Sequence, residues 1–149
     1  MGKRIKDCEY YVNRIIKVNS EISKDMIFET DAERRKHNRY SRESYRIFDE
    51  LYDNVELATE VYSALMKHED PYIRQTGATS SLIMRINAEE AVPILEWCVE
   101  NMDGLHSWGA RRRLMMFRGK MPEDTKRRPP KGLEKEWQEW EESLKKQKE

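Results

Sequence analysis

Apolar side chains recur along this chain at intervals of three and four residues, with no persuasive run at two, so the pattern predicts helices and no strands. A first helix is expected from about Ile5 to Phe28, with Ile5, Cys8, Val12, Ile15, Ile16 and Ile22 on one side. Thr30 or Asp31 can cap a second, over about 32–53. At 100° per residue its arginines Arg35, Arg39, Arg42 and Arg46 fall within about 60° of one another, opposite His37, Ser44, Phe48 and Leu51. Asp53-Asn54 ends it. A third helix, about 55–68, turns Val55, Ala58, Val61, Leu65 and Met66 inward.

The turn His68-Glu69-Asp70-Pro71 leads into a fourth helix, about 71–86, with Pro71 suited to its first position. Ile73, Gly77, Ala78, Ser81 and Leu82 form its packing face, and the small ones allow close approach. Asn87 and Glu90 have the spacing of a capping box for a fifth helix. Its stripe of Ala88, Ala91, Val92, Leu95, Cys98, Val99 and Met102 is unbroken, although Pro93 predicts a bend. Asp103-Gly104 separates it from a sixth helix, about 105–118. Residues 119–132, with Pro122, Pro129 and Pro130 among Lys and Arg, read as a basic linker. Residues 133–149 read as an amphipathic C-terminal helix marked by Leu133, Trp137, Trp140 and Leu144.

Charged residues make up 38% of the 149, which alone would point toward disorder; four Trp, seven Tyr and three Phe point instead to a packed core. The net charge is zero, but it is unevenly spread. Residues 55–103 carry nine acidic and three basic side chains, and residues 104–132 carry two acidic and nine basic. A surface polarised in this way steers charged partners. Two cysteines, Cys8 and Cys98, are too few for a disulfide framework and fit a reduced, cytoplasmic setting. No segment reads as a signal peptide or a membrane span.

Leu65 to Ala78, with its Asp70-Pro71 turn followed by Ile73-Arg74 and then small residues, resembles the centre of a HEAT repeat. Ala91-Val92-Pro93-Ile94-Leu95 is similar to the start of the next repeat's outer helix. Together with Asn38-Arg39, these features also resemble a small family of bacterial helical-repeat proteins, some encoded near toxin–immunity cassettes. The resemblance covers about residues 10–118. It implies an all-α, HEAT/ARM-like α-α superhelix of about three helix pairs, in which inner helices line a concave binding surface. Residues 1–118 would then form one helical domain, carrying the extra C-terminal helix behind its linker.

No catalytic set emerges. His37, His68 and His106 fall in different segments, no Cys pair has metal-site spacing, and both cysteines lie on apolar faces where a thiol is not activated. No metal or cofactor is expected. The residues that remain suggest binding. Arg111, Arg112 and Arg118, beside Trp108 on the sixth helix, read either as a phosphate- or carboxylate-binding patch or as a basic end paired with the acidic middle. Arg39, Arg42 and Arg46, with Arg35, read either as a surface for an acidic protein or a nucleic-acid backbone, or as a stripe neutralised by Glu43, Glu50 or the acidic segment. Trp97, opposite the apolar stripe of its helix, either packs on a neighbour or anchors a partner. The tail helix either covers the stack's apolar end or docks elsewhere. The expected activity is non-catalytic protein binding, as an immunity or adaptor protein with a toxin among the candidate partners. The alternative is nucleic-acid binding through a basic concave patch.

Overall fold

The computed structural model describes residues 6–22 and 30–147. Among these the fold is all-α, with seven helices and no strand: α1 Cys8–Ile22, α2 Asp31–Tyr52, α3 Val55–Met66, α4 Pro71–Met84, α5 Ala88–Asn101, α6 Gly104–Phe117 and α7 Glu134–Gln147. The outer parts of the first predicted helix, Ile5 and residues 23–28, lie outside the described residues.

Local chemistry accounts for several of the boundaries. Thr30 accepts the Glu33 N–H and Asp70 accepts the Tyr72 N–H, each satisfying a donor that the first turn leaves free. Pro71 follows at a position that has no use for its missing N–H. The expected Asn87–Glu90 capping box does not form. Asn87 sits in the left-handed region at φ 52° and makes no capping bond. Its amide instead donates to the Thr59 carbonyl and the Ser81 hydroxyl, while the Glu90 carboxylate accepts from Ser63. The competing interactions lie on α3 and α4, so the tertiary contact overrides the local one.

Consecutive helices pack on one another from α1 to α6. α1, α3 and α5 lie in one contacting row, α4 lies beside α6, and α2 packs on α1 and α3. Two apolar clusters result. One joins α1, α2 and α3 through Tyr11, Ile15, Val18, Ile47, Leu51 and Tyr62; the other joins α4, α5 and α6 through Ala78, Leu82, Leu95, Cys98 and Leu114. Gly77 sets the approach of α3 to α4. A Cβ built there would stand 2.9 Å from both the Leu65 Cβ and the Tyr62 carbonyl oxygen. α5 runs on through Pro93, which leaves the Glu89 carbonyl without its helical donor.

Beyond α6 the chain turns sharply at Gly119, whose φ of 72° and whose carbonyl bonds from residues 119 and 120 back to Met116 and Met115 make a Schellman ending. Residues 119–132 are irregular but anchored. Pro130 is buried, Arg128 makes two hydrogen bonds to Asp53, and the Tyr52 hydroxyl donates to the Arg128 carbonyl. α7 then docks on the chain itself. Trp137 is buried and its indole N–H donates to the Met84 carbonyl at 2.9 Å. Trp140 lies 6.1 Å from Phe117, centroid to centroid.

Candidate functional site

The α6 arginines are drawn into the fold more than their sequence suggests. Arg112 pairs with Asp124 and Arg113 with Glu123 at 2.9 Å, both acids belonging to the irregular segment after α6. Arg118 reaches Glu96 of α5 at 3.4 Å. Only Arg111 of this group remains exposed without an ion pair among the described residues. Trp108 is beside them, with the Arg112 guanidinium 5.2 Å from its ring centroid. The basic patch is therefore balanced largely by its own neighbours, a pairing that depends on the path of residues 119–132.

The arginines of α2 behave in the opposite way. Glu43 and Glu50, the acids expected to neutralise them, face α1 instead. Glu43 is bonded to Arg14, and Glu50 accepts from both Tyr11 and Lys6. Arg46 keeps a distant contact of 3.8 Å to Glu43. Arg35, Arg39 and Arg42 form no ion pair among the described residues, and no acid of residues 55–103 comes to them. No residue from Asp31 to Arg46 is buried, so this stretch of α2 carries its arginines on an open flank.

A third surface lies where α4 and α6 begin. Leu105 is 82% exposed, Trp108 57%, Tyr72 52% and Trp97 44%, an unusual concentration of large apolar groups on one edge of the stack. Contacts across the edge tie it together. The Tyr72 and His106 rings meet at 4.6 Å, and the Gln75 amide donates to the His106 carbonyl at 2.7 Å. Arg74 donates to the carbonyls of His68 and Glu69 at 2.9 Å each and lies 5.6 Å from the Trp97 centroid. Trp97 thus carries a packed cation on one side while keeping nearly half its surface open. Of the residues singled out from sequence, Trp97 and Trp108 fall on this edge. Tyr72, Arg74 and Leu105 were missed. For Leu105 the available signal was a large apolar side chain placed directly after the Asp103-Gly104 break.

Nucleophilic chemistry finds no support in the two thiols. Cys98 is buried and Cys8 half-buried, and burial pushes both pKa values upward, with Glu60 and Asp7 adding to the rise at Cys8. Among the described residues no group of three or more His, Cys, Asp or Glu side chains could hold a metal ion. A cleft of about 170 Å³ lies between α1, α2 and α4, walled by Ile15, Val18, Phe48 and Ile83 with Arg127 at its margin. It is smaller than the roughly 300–1,000 Å³ usual for small-molecule sites. No described helix is long and apolar enough to cross a membrane. Comparison with protein-family models, curated proteins and solved structures finds no match to this chain.

Proposed function

We propose that this chain is a HEAT-like helical-repeat protein that binds another protein, without catalysis, through the edge where α4 and α6 begin. The observation that carries this reading is the shared exposure of Tyr72, Trp97, Leu105 and Trp108 beside Arg74. Trp, Tyr and Arg are the side chains that dominate binding energy at protein interfaces. Clustered exposed apolar surface on a folded chain commonly marks such an interface. The likeness of Asn38-Arg39, the Asp70-Pro71 turn and residues 91–95 to bacterial proteins found near toxin–immunity cassettes directs the reading to an immunity or adaptor role in the cytoplasm. A toxin is the partner that role would mask.

The test is affinity capture with tagged protein from nuclease-treated lysate of its own host, alongside the Trp97→Ala/Trp108→Ala variant. The expected result is one protein retained in stoichiometric amount by the wild type and lost by the variant. Retention by both would move the site off this edge, and retention by neither would remove the protein-binding reading. Because both side chains are substantially exposed, circular dichroism should show the variant folded.

A further inference from the structure

We infer that the arginine flank of α2 is a landing site for a single strand of nucleic acid, on a different surface from the proposed protein-binding edge and independent of it. Arg35, Arg39, Arg42 and Arg46 occupy positions i, i+4, i+7 and i+11 of one continuous helix. They run for about 16 Å along one side of it. Neighbouring members of the row are like charges at three- and four-residue spacing, an arrangement that costs a helix about 0.2–0.5 kcal/mol per pair. Of the acids that could relieve the repulsion, Glu43 is bonded to Arg14 and reaches only Arg46, at 3.8 Å, while Glu50 is bonded to Tyr11 and Lys6. Asp31 and Asp49 bound the row at its two ends, and Asp31 reaches Arg34 at 3.8 Å. The flank is thus a cationic row in which Arg35, Arg39 and Arg42 have no ion pair among the described residues.

Two features select a nucleic-acid strand over an acidic protein. The row has no apolar residue at its centre, whereas protein interfaces concentrate their energy in a desolvated apolar or aromatic core. Phosphates need no such core, and a guanidinium can hold each one with two parallel hydrogen bonds. At the margin of the row stands Tyr45, three residues from Arg42 and 73% exposed. Basic side chains that track a backbone, with an open aromatic ring beside them on which a base can stack, are the two elements of single-strand binding.

The experiment is fluorescence anisotropy with a labelled twelve-nucleotide oligo-U RNA and its oligo-dT counterpart, titrated from 50 to 200 mM salt. A duplex of equal length and polyglutamate serve as competitors. Four phosphate contacts on a single strand predict a slope of log K against log salt of about −2.8, a loss of roughly 50-fold across that range. Arg35→Gln/Arg39→Gln/Arg42→Gln should flatten the slope to about −0.7. Tyr45→Ala should weaken binding about fivefold or more while keeping the slope. Lys145→Gln/Lys146→Gln, on α7, should change neither. A preference between RNA and DNA would name the kind of strand. No binding at 50 mM salt, an unchanged slope in the triple variant, or equal competition by duplex or polyglutamate would overturn the inference.

Discussion

The Arg85 guanidinium lies 3.5 Å from the centroid of the Trp140 ring, stacked against a helix that begins nearly fifty residues later in the chain. Trp137 flanks the same guanidinium at 3.8 Å. Arg85 reaches this place by adopting φ 62°, as the left-handed residue of a Schellman ending in which the Ile86 N–H bonds the Ser81 carbonyl. Glycine is the usual occupant, because a side chain there costs about 1–2 kcal/mol. The cation–π contacts offset that strain at about 0.5–2 kcal/mol each.

Two substitutions separate the terms. Arg85→Gly loses the stacking but relieves the backbone, whereas Arg85→Ala loses the stacking and keeps the strain. Urea unfolding should rank wild type above Arg85→Gly and Arg85→Gly above Arg85→Ala, the last two differing by about 1 kcal/mol. Equal stability of the two variants would show that backbone strain does not matter at this turn.

At Gly77 the conflict is steric. Alanine there gains about 1 kcal/mol in helix propensity, but its Cβ would press on the Tyr62 carbonyl, which cannot rotate away. We expect a net loss of about 1–3 kcal/mol, as for other overpacked cores. Thermal and urea denaturation would read it, and a stability gain would mean that α3 and α4 separate more easily than their packing suggests.

The α2 row carries a stability prediction of opposite sign to its binding role. In the free protein, Arg39→Gln/Arg42→Gln removes the like-charge pairs, so it should raise stability by about 0.5–1 kcal/mol at low salt. The gain should shrink as salt is added. Differential scanning calorimetry at two ionic strengths checks this, and a loss of stability would show that these arginines have partners in the fold.

Acid should loosen the anchor of residues 119–132. Hydrogen bonds from Arg128 hold the Asp53 carboxyl below its ordinary pKa. At Glu50, burial pulls upward, but hydrogen bonds from Tyr11 and Lys6 prevail and lower it. A carboxyl lowered in the native state binds its proton more readily when unfolded. Its contribution is therefore full above the ordinary carboxylate range, about pH 4, and is lost as pH falls through the lowered native values. Asp53→Asn should reproduce part of this loss at neutral pH, seen as faster tryptic cleavage after Lys126, Arg127 or Lys131. Equal cleavage rates for wild type and variant would show that the Arg128 contact does not hold the segment.

What could be read in the sequence, and what could not, follows from the range of the interactions. Asp70-Pro71 announced the start of α4 because its cap and its proline act within one turn. The inward faces of α3 and α4 were equally legible, down to Gly77 and Ser81, since a helical period places them without knowledge of neighbours. Asn87 misled because its amide was claimed by Thr59, a partner 28 residues away. Arg112 and Arg113 shared a stretch with the acids that pair with them, but only the fold of residues 119–132 brings those acids back onto α6. The left-handed Arg85 carried no local signal, since nothing nearby in sequence requires it. Among the binding candidates, Trp97 was visible as an apolar group opposite the apolar stripe of its helix, and Trp108 as a ring beside the arginines of α6. Their gathering with Tyr72 and Leu105 depends on α4 and α6 lying side by side.

The bond from Trp137 to the Met84 carbonyl, spanning 53 residues, also sets an order of events. Contacts from α3 through α6 are made mostly between neighbours in the chain, close few long loops, and can form quickly. Docking of α7 closes a much larger loop and gains only when the ends of α4 and α6 are already in place. α7 is therefore expected to be late to join and early to leave, its amides exchanging with solvent while those of α3 to α5 remain protected. Before α7 joins and after it leaves, the Met84 carbonyl stands open to water, and the molecule passes through a six-helix form with a bare ledge where the indole belongs.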